Sequence, residues 1–121
     1  VIGHLLKKEG TLKSYLKESK TKMVYSTNKN EGKLAITEYK VLKENDKYSL
    51  VDINLLTGRK NQIRVHFKDI NNPLVGDKKY GCTADPIGRL CLHATKLSFK
   101  YNNKEYSFES EIPFKMNALL D

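Results

Sequence analysis

The hydrophobic period of this chain changes sharply at Thr57-Gly58, and that change limits what it can fold into. Two alternating runs stand ahead of it. In residues 33–42, Ala35, Thr37, Tyr39 and Val41 fall on one face and Leu34, Ile36, Glu38 and Lys40 on the other. In residues 48–56, Val51, Ile53 and Leu55 share a face. Period two marks a strand, because successive side chains of extended backbone point to opposite sides. Asn45-Asp46 between the runs is a turn signal, so the two are expected to pair as an antiparallel hairpin. Past Gly58, Ile63, Phe67 and Ile70 recur at i, i+4 and i+7. That is a helical stripe, which Asn71-Asn72-Pro73 ends.

The remaining segments are shorter. Leu12, Tyr15 and Leu16 stand at i, i+3 and i+4 behind a possible cap at Gly10-Thr11, which predicts an amphipathic helix over 11–19. Met23-Val24-Tyr25 reads as a brief strand, and residues 26–32 and 82–88 as loops. A strand is expected over 89–99, a turn at Asn102-Asn103, and a returning strand through Tyr106 and Phe108. Pro113 breaks that strand, and a terminal helix is expected over 114–120. The class is α+β: an antiparallel or mixed sheet with hairpins and a few flanking helices, as one domain over 1–121.

Composition narrows the partners. The 121 residues carry 22 Lys plus Arg against 14 Asp plus Glu, a formal charge of +8. A balance this basic on a small domain points to a polyanion, and to nucleic acid rather than a membrane surface. No apolar run has the ~18–20 residues that a bilayer span requires. Cys82 and Cys91 make no disulfide framework and no Cys/His group has zinc spacing, so a reducing cytoplasm is the expected setting. The chain opens Val1-Ile2-Gly3-His4, without an initiator Met and without a signal-peptide pattern. It is therefore expected to be processed or to be a piece of a longer protein.

The segment Leu56-Thr57-Gly58-Arg59-Lys60-Asn61-Gln62-Ile63-Arg64-Val65-His66 concentrates the chemistry. A strand ends, glycine permits a turn, and a helix begins, so backbone N–H groups are left facing outward where anions are favoured. Lys60 and Arg64 are four apart and Asn61 and Arg64 three apart, which places them on a helix face opposite Ile63 and Phe67. Guanidinium, ammonium and amide donors in one cluster suit phosphates, a carboxylate and base edges. The plain alternative is a solvated basic helix face.

This segment resembles the L-x-T-G-R-T-H-Q-I-R-V-H-L motif of the RluA-type RNA pseudouridine synthases. Three further segments resemble that family in its order. Gly32-Lys33-Leu34-Ala35-Ile36-Thr37-Glu38-Tyr39-Lys40-Val41-Leu42 is similar to its G-K-x-A-x-T-x-Y-x-V-L strand. Asn72-Pro73-Leu74-Val75-Gly76-Asp77-Lys78-Lys79-Tyr80-Gly81 is similar to G-x-P-I-x-G-D-x-x-Y-G. Arg89-Leu90-Cys91-Leu92-His93-Ala94-Thr95-Lys96-Leu97-Ser98-Phe99 is similar to R-L-x-L-H-A-x-x-L-x-F. Lys60-Asn61 departs from the usual Thr-His, which removes an imidazole and adds a cation.

The resemblance implies isomerisation of uridine within RNA (rRNA or tRNA), with no cofactor, no metal, no membrane and no obligate protein partner. It implies that Arg64 is the ion-pair partner of a nucleophilic Asp and that Leu92 walls the uracil pocket. It also implies that Arg59, Lys60, Asn61 and Gln62 contact RNA. The family carries that Asp in an H-R-L-D-x-x-T-S-G segment, which does not occur among these 121 residues. The chain is accordingly expected to be the C-terminal portion of a catalytic domain and inactive alone. Arg64 is expected to lack a partner among Asp46, Asp52, Asp69, Asp77, Asp85 and Asp121, and apolar sheet surface is expected to lie bare. Gly76, Asp77, Tyr80 and Gly81 read as a turn, and His66 and His93 as structural. The rival reading is a basic RNA-binding module without catalysis.

Overall fold

The computed structural model of the protein describes residues 1–84, 86, 88, 90–93, 96–101, 104–109 and 119. Strands β1 (Glu9–Glu18), β2 (Val24–Thr27), β3 (Lys33–Glu44) and β4 (Ser49–Leu55) form an antiparallel sheet in the order β2-β1-β3-β4. Helix α1 (Gln62–Asp69) packs against β1, β2 and β3. A 3-10 turn at Lys78–Tyr80 follows. Strands β5 (Lys96–Tyr101) and β6 (Lys104–Glu109) pair antiparallel as a separate ribbon. The N-terminal residues lie beside β4: Val1 and Ser49 exchange two backbone bonds of 2.8 and 3.0 Å.

The expected hairpin is present as β3 and β4, with Tyr39 opposite Ile53 and Val41 opposite Val51. Its ladder slips between Val41 and Lys43, a bulge at Leu42. Ala35, Thr37 and Tyr39 face the core as their alternation requires. The sheet-and-helix architecture is the α+β class expected from the sequence.

The helix expected over 11–19 is a strand instead. Along β1, Gly10, Leu12, Ser14 and Leu16 turn inward while Glu9, Thr11, Lys13 and Lys17 are exposed. The inward row includes two residues without apolar side chains, which hides period two from a hydrophobic count. Gly10 stands inward because a Cβ there would come within 3.2 Å of the Tyr39 hydroxyl. Ser14 stands inward because it bonds the ring of His66. Pairing with β2 on one side and β3 on the other then overrides the helical propensity of Leu and Lys.

The strand expected over 89–99 begins only at Lys96. Residues 90–93 are irregular, with the Cys91 N–H donating to Val75 O at 2.8 Å rather than joining a ladder. The turn at 102–103 and, apart from Leu119, the helix expected over 114–120 lie outside the described residues.

Two apolar clusters form under α1. Leu16, Val24, Ala35, Val65 and Tyr80 make one. Leu5, Tyr39, Phe67 and Leu74 make the other, with Phe67 edge-on to Tyr39 at 6.0 Å between ring centroids. The inner face of α1 is Gln62, Val65, His66 and Phe67, while Ile63 and Ile70 are only partly buried. Two polar residues in that inner row shifted the stripe read from apolar residues alone.

Gly32 leads into β3 and lies hard against β1 and β2. A Cβ at this position would meet the Thr27 methyl and the Tyr15 carbonyl carbon at 2.7 Å each. Backbone cannot swing aside as a side-chain tip can. Gly32→Ala is therefore expected to destabilise the protein by about 1–3 kcal/mol, the usual range for overpacking. Urea unfolding of the two proteins measures it, and an unchanged midpoint would contradict the contact.

Candidate functional site

The turn between β4 and α1 is held by one side chain. Gln62 Oε1 accepts from Thr57 Oγ1 at 2.6 Å and from the Arg59 backbone N–H at 3.0 Å. Its Nε2 donates to Ile36 O and to Thr37 Oγ1, each at 2.9 Å. Gln62 is 2% exposed, and both of its amide donors and both of its acceptor positions are engaged. The sequence places Gln62 among RNA contacts; the structure makes it an internal brace with nothing left to offer a ligand. Asn61, at the head of the helix, has φ +55°. Asn is among the residues that best tolerate this left-handed conformation.

Arg64 leaves the helix toward the turn at 76–81. Its Nε donates to Asp77 Oδ2 at 3.0 Å and its Nη2 to Asp77 Oδ1 at 2.7 Å. Its Nη1 reaches Asn61 Oδ1 at 3.5 Å, and the guanidinium carbon lies 5.0 Å from the centroid of the Tyr80 ring. The Asp77 side chain is 0% exposed and that of Arg64 is 22% exposed. Hydrogen bonding to Asp77 raises the Arg64 pKa further, against the opposing effect of burial. The expectation that Arg64 has no carboxylate partner within the chain is thus overturned. Asp77, read as a turn cap, makes no side-chain cap; its carboxylate turns inward to the guanidinium.

The other expected donors do not converge on Arg64 as one cluster. Arg59 Nε bonds Leu34 O at 2.8 Å on β3. Lys60 pairs with Glu18 of β1 at 2.6 Å, and this contact holds the Glu18 carboxyl below its ordinary pKa. Asn61 does meet Arg64, and its Nδ2 also donates to the Tyr80 hydroxyl at 3.0 Å. Leu92 is exposed and lies in the irregular segment, outside the sheet core. Leu42, Leu55 and Leu56 are also exposed.

Two cations outside the motif join this region. Lys79 Nζ lies 5.6 Å from the Tyr80 centroid and donates to Lys22 O, while Lys22 Nζ approaches Glu18 at 3.7 Å. Arg64 and Lys79 thus flank Tyr80, Lys22 and Lys60 meet Glu18, and the Lys79–Lys22 bond joins the two pairs along one rim. A reading of one segment at a time misses Lys22 and Lys79, which reach the rim only through the fold. Asp77 left one trace: it is the sole carboxylate between Ile70 and Ala84, in the stretch that must turn back past the helix.

The comparisons with known proteins agree on what this arrangement belongs to. A sequence profile described as RNA pseudouridylate synthase matches residues 2–69. The chain belongs to the RluA-type RNA pseudouridine synthase family. It is 34% identical over 122 residues to the uncharacterized RNA pseudouridine synthase YjbO of Bacillus subtilis, covering 99% of this chain and 43% of that protein. It is 35% identical over 108 residues to the ribosomal large subunit pseudouridine synthase D of Borreliella burgdorferi, covering 86% of this chain and 33% of that protein. In fold it is similar to human RNA pseudouridylate synthase domain containing 1, with a TM-score of 0.81 at 26% identity. That match covers 93% of this chain and 51% of the human one. The chain therefore spans less than half the length of these two curated relatives.

In this family member His66 is structural. It is buried, with Nδ1 2.8 Å from Thr37 Oγ1 and Nε2 2.9 Å from Ser14 Oγ. Thr37 also accepts from Gln62, so one hydroxyl of β3 joins two inward side chains of the helix. Ser26 approaches both Ser14 and Asp69.

Burial lowers the His66 pKa, with Asp69 acting weakly the other way. Above about pH 6.5, the ordinary value for histidine, the ring is neutral in folded and unfolded chains alike and no penalty applies. Below it the unfolded chain takes up a proton that the folded one resists, so stability falls as pH falls, by at most about 1.4 kcal/mol per pH unit. His66→Gln is expected to lower stability at pH 7.5 and to flatten its decline between pH 7 and 5. Denaturant unfolding across that range measures both, and an equal slope in the two proteins would show that another group sets it.

Proposed function

We propose that this chain forms the Arg64-bearing part of an RNA pseudouridine synthase that acts on uridine in structured RNA, rRNA or tRNA, in the cytoplasm. The observation that carries the reading is Arg64. It is a partly exposed guanidinium, locked at a basic rim, in the segment by which the chain matches its family. The reaction breaks the bond from C1′ to N1, turns the uracil and joins C1′ to C5; N1 gains a proton and C5 loses one, so the product is an isomer. No metal or cofactor is invoked. The target base must leave its stack to be reached.

On this reading Arg64 faces a nucleophilic carboxylate from an H-R-L-D segment, which these 121 residues do not contain. A carboxylate in a closed, base-sized pocket tends to protonate because burial disfavours its charge. A guanidinium, always charged, keeps it ionised and orients it. Arg59, Lys60, Lys22 and Lys79 are assigned to RNA phosphates, which position a substrate without reading its sequence. Lys60 and Lys22 can leave Glu18 for a phosphate at little cost, since exposed ion pairs are worth ~0–1 kcal/mol. Leu92 is assigned to the base pocket as exposed apolar surface.

Binding and turnover separate in the test. The chain alone is expected to bind RNA weakly, with a log–log salt slope of roughly −2 to −3 for three or four phosphate contacts. It is expected to make no pseudouridine. A protein extended upstream in the gene through H-R-L-D is expected to make it, and Arg64→Ala in that protein to abolish or severely reduce it. Pseudouridine mapping of transcripts incubated with each version is the readout. Activity in the 121-residue chain alone, or near-normal rates with Arg64→Ala, would defeat the reading. RNA binding without turnover by the extended protein would favour the non-catalytic RNA-binding module.

A further inference from the structure

Arg64 is already committed to a carboxylate, yet two of its five donors stay available. A guanidinium has five N–H donors in a planar fork. In Arg64, Nε and one hydrogen of Nη2 go to Asp77, and Nη1 points one hydrogen at Asn61. One hydrogen on Nη1 and one on Nη2 have no partner among the described residues. The free Nη2 hydrogen lies on the end-on edge of the fork, beside an Nη1 whose contact with Asn61 is long at 3.5 Å, and this edge can hold a second two-oxygen anion while Asp77 holds the side-on edge. The Tyr80 ring lies against the group, and its hydroxyl is itself fixed by the Val24 N–H at 3.2 Å and Asn61 Nδ2 at 3.0 Å.

From this geometry we infer that Asp77 is a positioning residue: it fixes the plane of the Arg64 guanidinium so that its end-on edge is presented to the reacting carboxylate. The inference rests on the function proposed above and assigns Asp77 no contact with RNA or with reacting atoms. Its burial supports it. A fully enclosed carboxylate held in the turn 76–81, by Asp77 N–H to Leu74 O at 3.1 Å and Cys82 N–H to Asp77 O at 2.9 Å, has little room to swing toward a substrate. What it can do is hold Arg64. Lysine at position 64 cannot substitute, because an ammonium is a point charge without two opposed edges.

The test uses the upstream-extended protein that makes pseudouridine. Asp77→Asn keeps the shape but turns an N–H against the fork. Under single-turnover conditions it is expected to slow isomerisation on the order of a hundredfold, the scale of a misplacement near 1 Å, while RNA affinity is unchanged. In an Arg64→Ala background the same change is expected to slow the residual turnover no further, because the residue that it positions is gone. Equal slowing in both backgrounds, a loss of RNA affinity in place of rate, or a normal rate with Asp77→Asn overturns the inference. Should Asp77→Asn not fold, as thermal unfolding would reveal, Arg64→Lys decides: a hundredfold loss at unchanged RNA affinity supports the two-edge arrangement, and a near-normal rate overturns it. An active Arg64→Ala protein would instead defeat the reading of Arg64 itself. An inactive Arg64→Ala beside an active Asp77→Asn would defeat only the role of Asp77.

Discussion

The amide of Gln62 is the constraint on which the site depends. Where β4 ends, the chain must reverse and start a helix within a few residues, with Gln62 and Thr37 buried beneath the sheet. That reversal strands polar groups at its inner side: the Arg59 N–H, the Ile36 carbonyl and the hydroxyls of Thr57 and Thr37. Gln62 answers all four. An amide suits the position because it donates twice and accepts twice in one plane. Glutamate would lose both donors and bury a charge; a hydrophobic residue would leave several groups unpaired at about 1–3 kcal/mol each. With the turn fixed, the azimuth of the helix is fixed. That azimuth sends Arg64 toward Asp77 and His66 between Thr37 and Ser14.

Polar residues inside the molecule explain which parts were legible in the sequence. The β3–β4 hairpin was plain because its inward row, Ala35 to Val41, is apolar apart from Thr37. Strand β1 is hidden from periodicity because Gly10 and Ser14 stand in its inward row. Gly10 makes room for Tyr39, and Ser14 continues the hydrogen-bonded chain from His66. The helix was found, but its inner face was displaced because Gln62 and His66 count as polar while being buried. In each case the residue type is set by a partner far along the chain, and period alone carries no information about such partners. Arg64 is legible as a candidate because it lies in a motif. Asp77 is not, because 13 residues and a turn separate it from the guanidinium it holds.

The internal pairing of Arg64 also answers an apparent conflict with its proposed role. A guanidinium that waits in a partly closed site for an anion carries a desolvation cost in its absence. It also carries the entropy of a long side chain free to take many rotamers. Asp77 offsets the first with two charge-assisted bonds and reduces the second by holding the fork in one orientation. Asp77 itself tolerates complete burial only because both of its oxygens are engaged by a cation. The pair is thus mutually required. An arginine paired through one edge therefore serves a second anion better than an unpaired one, since its plane is set before that anion arrives.

The distribution of the remaining charge follows the same logic. Among the rim cations, Lys60 and Lys22 meet Glu18 at the surface, where exchange for a phosphate costs little, whereas Arg64 meets Asp77 in the interior, where exchange would strand a buried carboxylate. Exposure of the acid therefore sorts cations that a sequence reading treats alike: those facing Glu18 are replaceable contacts, and the one facing Asp77 is a fixed element. A polyanion arriving at this rim can compete for the first set and must accommodate the geometry of the second. Attraction over a distance comes from the +8 net charge and weakens with salt, whereas the Arg64–Asp77 pair, shielded from solvent on its carboxylate side, keeps its geometry as salt rises.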